Sequence, residues 1–379
     1  MSKLSTFLNK ASSRNLIIAL AVTVTVAAIG YIVIATHAAG PFASVDLSTA
    51  TPTSPAQTVS DTSASSGKAI QFGSGTTTPP NTGNCSSPYP NVTCTGIPNN
   101  TTFAKKITGD YFATTDGEVI DKWQIDGDLV IQAKNVKITN SEIHGHIDND
   151  SLPLDTSFTV SDSGVGPFGC ATDGWPSING HDFTATRVWF HGHQDAVDMV
   201  GNNVTVNDSL LQPCFQPASV VGGDGFHSDG IQDQCGGLCT HVSMTHNTFN
   251  SEAFDSKGIM TGNSTVYLGS PYNGTGNNVA DVTLKNNLFL GGGYSMAILW
   301  NNIGDKANWT ITDNAWVQGD YAYNKWVPDK WAYGTWAFGP VDTGGSCSHI
   351  NWSGNKIVTI VDNVYYNIAS TVGPLNCVN

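Results

Sequence analysis

Eight segments of this chain align on an apolar–polar–apolar start, and the alignment leaves few folds open. The first column reads Val136, Phe158, Phe183, Val204, Val242, Val282, Trp309 and Ile350. Two places on stand Ile138, Val160, Ala185, Val206, Met244, Leu284, Ile311 and Trp352. Seven places on stand Ile143, Val165, Phe190, Leu211, Phe249, Phe289, Trp316 and Ile357, so both of these columns are apolar throughout. Between them, five places from the start, runs Ser141, Ser163, Val188, Ser209, Asn247, Asn287, Asn314 and Asn355. Period-two alternation marks short strands. A fixed Asn/Ser corner marks a turn whose side chains can hydrogen-bond up and down a stack. The start-to-start spacings of 22, 25, 21, 38, 40, 27 and 41 residues fit one coil per repeat, the larger ones carrying inserted loops. Glycine is abundant (40 residues), only 12% of residues are charged, and neither a long helical period nor a leucine-rich-repeat pattern is present.

The coil typified by Asp281-Val-Thr-Leu-Lys-Asn-Asn-Leu-Phe289 resembles those of the right-handed parallel β-helix, or pectate-lyase-like, superfamily over roughly residues 100–379. The resemblance implies an all-β, single-stranded parallel β-helix solenoid with inserted loops. It is weaker for activity, because that superfamily holds polysaccharide lyases, glycoside hydrolases, epimerases, esterases, tailspikes and adhesins, and a fold does not settle a function.

The segment Leu16 to Thr36 is apolar, 21 residues long and preceded by Lys3, Lys10 and Arg14. It reads as an N-terminal transmembrane anchor, with a cleaved signal peptide ending near Ala38-Ala39 as the alternative. Both place the rest of the chain at the cell surface or outside it. Residues 41–100, rich in Ser, Thr, Pro and Gly, read as a disordered linker between residues 1–40 and a β-helix domain at 101–379. All eight cysteines lie beyond the apolar segment, which favours disulfides in an exported region. Cys85–Cys94, Cys235–Cys239 and Cys347–Cys377 are plausible local pairs, leaving Cys170–Cys214; a metal site from Cys235, Cys239 and His241 is the alternative for the second pair. The net charge of −14 argues against nucleic acid. It also repels polyanions unless Ca²⁺ or a local cation receives them.

Three short motifs stand at one phase, His193-Gln-Asp195, His227-Ser-Asp229 and Asp255-Ser-Lys257, and a fourth, His146-Ile-Asp148, sits at the same phase further upstream. Aligned so, Asp195, Asp229, Lys257 and Met296 form one column, followed by the small residues Ala196, Gly230, Gly258 and Ala297 and then by Val197, Ile231, Ile259 and Ile298. Alternation would bury Asp195 along with Val197, so a corner is expected at the small-residue column. A cleft over three coils is the expectation, acting on a polysaccharide or surface glycan. In a lyase that attacks a uronate polymer, Lys257 is the base and Asp195, Asp198, Asp229 and Asp255 are Ca²⁺ ligands, with His193, His227 and Asp229 in the catalytic set. Lysine among carboxylates is a poorer base unless Ca²⁺ offsets them. In a hydrolase, Asp195, Asp198 and Asp229 supply the acid–base pair and His227 tunes protonation. The Asp-Asp, Gly-His-Gly and Arg-Ile-Lys signatures of the polygalacturonate hydrolases are absent, and His191-Gly-His193 is a partial echo. Gln232 and Arg187 are candidate substrate contacts, although an intramolecular salt bridge competes for Arg187. Trp326, Trp331 and Trp336 form a candidate sugar platform or a solenoid cap. The non-catalytic rivals are an adhesin using that platform and a stack of purely structural ladders.

Overall fold

A computed structural model describes residues 56–60, 68–72, 87–150, 155–222, 225, 227–251, 264–268, 278–292, 294–298, 308–317, 350–361 and 364–370. The N-terminal apolar segment lies outside them, as do Trp326, Trp331, Trp336, Cys85, Cys347 and Cys377. Among the described residues no helix is long and apolar enough to cross a membrane. The chain divides into two units, Met1–Thr76 and Thr77–Asn379. Within the first, Ala56–Ser60 pairs antiparallel with Lys68–Phe72, so the segment read as linker carries a strand pair.

The second unit is a parallel β-helix. Its strands stack into three sheets, here called first, second and third, of nine, eleven and eight strands. Every neighbouring pair in them is parallel except the closing hairpin of Lys356–Val361 with Val364–Ser370. The first sheet follows the aligned start column, with Val136 beside Phe158, Phe158 beside Phe183, and so on to Trp309 beside Ile350. The second sheet follows the column seven places on, from Ile143 beside Val165 to Trp316 beside Ile357. Side chains of both columns meet in one core, where Phe249, Phe289, Trp316 and Trp352 stack at ring-centre spacings of 5.0, 5.1 and 5.6 Å.

The corner between these two sheets explains why the columns stay in phase. Asn140, Asp162, Arg187, Asp208, His246, Asn286, Asp313 and Gly354 all have φ between +49° and +68°. That is the left-handed region, which Asn, Asp and Gly enter at least cost. The next residue in each coil is the ladder position. Asn247, Asn287, Asn314 and Asn355 are buried there, each backbone N–H of one rung donating to the side-chain oxygen of the next over 2.9 Å. The amide Nδ2 groups of Asn287 and Asn314 close the pattern on the carbonyls of Met244 and Leu284. In the lower rungs serine does the same work, Val188 N–H donating to Ser209 Oγ and Ser141 N–H to Ser163 Oγ, both over 3.0 Å.

The linker was expected to run to residue 100. Residues 87–100 belong to the solenoid's flank: Tyr89 is buried, His246 Nε2 and Thr248 Oγ1 bond to the carbonyls of Pro88 and Pro90, and Gly96 N–H donates to Arg187 O. Their polar composition hid this, because these hydrogen bonds to the solenoid are made by the segment's backbone groups. Cys170 pairs with Cys214 and Cys235 with Cys239, which rules out the Cys235–Cys239–His241 metal site; Cys94 is likewise disulfide-bonded.

Candidate active site

The third sheet carries the acidic motifs. Its strands Ile147–Asp148, Pro176–Gly180, Asp195–Met199, Asp229–Asp233, Ser264–Leu268 and Tyr294–Ile298 lie in that order. Ile178, Val197, Ile231, Val266 and Met296 share the core column. One place on runs a polar stripe: Asp148, Asn179, Asp198, Gln232 and Tyr267.

This register corrects three alignments. The rung after Asp229 begins at Ser264, so the place given to Lys257 belongs to Ser264; Lys257 and Asp255 themselves lie outside the described residues. Met296 sits with Ile231 rather than with Asp229. Asp148 sits with Asp198 rather than with Asp195. The shared cause is the turn from the second sheet to the third, which differs in length from coil to coil. The corner expected at the small-residue column falls inside the continuous strands Asp195–Met199 and Asp229–Asp233. The ladder pairs Pro176 with Asp195 and Ile178 with Val197 but skips Ser177 and Ala196, and Ala196 and Val197, consecutive in the chain, both join the core.

Asp195 and Asp229 are nevertheless buried, at 2% and 0% exposure. Asp229 N–H donates to Asp195 Oδ1 over 2.6 Å, and Gln194 Nε2 reaches Asp195 Oδ2 at 3.2 Å. Burial, followed by repulsion from Asp198 and Asp229, pushes the Asp195 carboxyl well above the ordinary carboxylate range. Asp198 is half-buried, its Oδ1 sealed from solvent without a hydrogen-bond partner among the described residues. Desolvation, and then the Asp233 carboxylate, push it up to about 7. Asp195 and Asp198 therefore form an acidic pair that retains a proton near neutrality.

No known protein family, curated protein or solved structure matches this chain.

The remaining expected site residues fall unevenly around this pair. Gln232 adjoins Asp198 on the stripe, and His227 is exposed with its carbonyl 3.5 Å from Gln194 Nε2. His193 is buried, and burial pushes its pKa down, which favours a neutral ring. Its nearest carboxylate, on Asp173, is 3.9 Å away, so it does not join the acidic pair. Arg187 makes the intramolecular salt bridge that competed with a substrate role. Its Nε and a terminal nitrogen each lie 2.6 Å from the two oxygens of Asp162, on the left-handed corner away from the third sheet. Arg187→Ala is expected to lower stability by about 1 kcal/mol or less, since both partners are partly exposed. Glycan retention should not change, and a retention assay that shows loss would restore the substrate role.

Among the described residues no three His, Cys, Asp or Glu side chains converge as metal ligands. Of the expected Ca²⁺ ligands Asp195, Asp198, Asp229 and Asp255, the last lies outside the described residues, and Asp195 Oδ1 accepts the Asp229 N–H.

The sequence reading missed Trp175. It is 47% exposed, stacks on His146 at 4.9 Å and 7°, and its carbonyl accepts from Gln194 N–H, which places it one rung below the acidic pair. His146 is held in turn by Asp128 at 3.0 Å. An exposed tryptophan beside a polar stripe was the available signal, but it stands in an insertion with no periodic mark.

Proposed function

We propose that this chain is an exported, carbohydrate-active β-helix protein of the pectate-lyase-like kind. It is held at the cell surface or secreted through its N-terminal apolar segment, and it cleaves glycosidic bonds by hydrolysis. The observation that supports this reading is the acidic pair of Asp195 and Asp198, with Asp198 on the polar stripe and its carboxyl pushed up to about 7. In the proposed step Asp198 gives its proton to the glycosidic oxygen as the C–O bond breaks. Water adds to the sugar carbon, and its proton passes to the Asp229 carboxylate, because the raised Asp195 carboxyl itself tends to hold a proton. Trp175 supplies a flat apolar face for an adjoining sugar ring. The lyase reading rests on Lys257, which lies outside the described residues.

The test is a polysaccharide panel incubated with the full chain. Reducing ends should rise while the ultraviolet absorbance of unsaturated uronates stays flat. A rise in that absorbance would replace hydrolysis by elimination, and no new reducing ends on any polymer would leave a binding protein.

A further inference from the structure

A second cavity lies on the other side of the turn that leads into Asp195. It measures about 420 Å³ and is walled by the loops Pro167–Cys170 and Pro213–Phe215 and by the strand Trp189–His191. Three aromatic residues line it: Phe168, Trp189 and Phe215. Phe168 is 40% exposed and stacks on His191 at 5.6 Å, so one ring face is fixed while the other stays accessible.

The walls are fixed. The Cys170–Cys214 disulfide ties the two loops, Ala171 N–H donates to Gly192 O, and Cys214 N–H donates to His193 O, both over 2.7 Å. Gly192, at φ +77°, lets the strand end pass so close to Pro167 that a Cβ there would strike the Pro167 carbonyl. The polar groups are also oriented. Trp189 Nε1–H donates to Gln212 Oε1 over 3.1 Å, which settles the flip of that amide and leaves its NH₂ as the lining donor. The cavity offers no Lys or Arg. Its one imidazole, His191, has Nδ1 3.0 Å from Pro167 O and Nε2 3.4 Å from the buried Glu142 carboxyl, so neither nitrogen is open to a ligand.

We propose that this cavity is a second glycan-binding site, taking one neutral pyranose ring against Phe168, Trp189 and Phe215 with the Gln212 amide as its polar contact. Aromatic faces match the apolar C–H face of a sugar ring, and a preformed cavity of this volume limits the ordering cost of binding. The absence of a cation and the carboxyl beneath His191 select against uronates. The site is distinct from the acidic pair and does not depend on cleavage occurring there.

Isothermal titration of the full chain, as wild type and as Asp198→Asn, with neutral cello-, manno-, xylo- and galacto-pentaoses tests this, with oligogalacturonate as the anionic comparison. At least one neutral sugar should bind both proteins with similar affinity. Phe168→Ala should weaken it about tenfold, and Phe168→Leu, which retains apolar bulk without a ring, should weaken it nearly as much. Unchanged affinity in both Phe168 variants, preference for the uronate, or no binding by any sugar would overturn the proposal. Binding without cleavage would overturn only the hydrolytic reading.

Discussion

Asp198→Asn is expected to lower glycan hydrolysis at least about a hundredfold while making the protein more stable above neutrality. The first effect follows from removing a general acid, which typically contributes about two to four orders of magnitude. The second follows from linkage. The folded state raises the Asp198 pKa to about 7, and an unfolded chain restores it to about 3.9. The fold therefore favours the protonated carboxyl. Its contribution is fully present below about pH 4 and is lost as pH rises through about 7, a change of up to about 4 kcal/mol. Asp195, raised in the same direction, adds to the fall. Wild type should thus melt lower at pH 8 than at pH 5, and the Asn variant should show a smaller drop. Activity should decline as pH rises past about 7, where the proton donor is lost. Melting curves in which the two proteins share one pH profile would remove Asp198 from this role.

Asn287→Ala is expected to destabilise the solenoid by about 4 kcal/mol. Asn287 Oδ1 accepts from Asn247 N–H at 2.9 Å and from Asn247 Nδ2 at 3.2 Å, and its own Nδ2 donates to Met244 O at 2.9 Å. Alanine leaves a buried N–H and a buried carbonyl without partners, each costing roughly 1–3 kcal/mol. Asn287→Ser should cost less, because serine already fills this corner at Ser209 and Ser163. Denaturant unfolding with equal midpoints for wild type and the Ala variant would show that the ladder is decoration.

These two residues also mark how far the chain could be read unaided. Asn287 and its column were legible because the corner between the first and second sheets has one length in every coil, set by a left-handed residue followed by the ladder residue. Phase was conserved, so counting worked. Asp198 lies past the turn into the third sheet, where insertions differ from coil to coil. Counting by motif placed Lys257 on a rung that belongs to Ser264. The burial of Asp195 is what strict alternation from Val197 gives, without the relief that a corner at Ala196 was expected to supply. Trp175 and Phe168 carry no periodic mark, and only the folded turns bring them to the surface beside the sheet.

The segment at 87–100 has a mechanical consequence. It grips Arg187 on one coil and His246 and Thr248 on another, and the coil of Asp208 lies between them. A stack held only by nearest-neighbour contacts melts like a zipper, coil by coil. A batten fastened across three coils forbids the middle one to open alone, so that stretch of the solenoid, which includes the coil of Asp198, should exchange its amide protons as one unit.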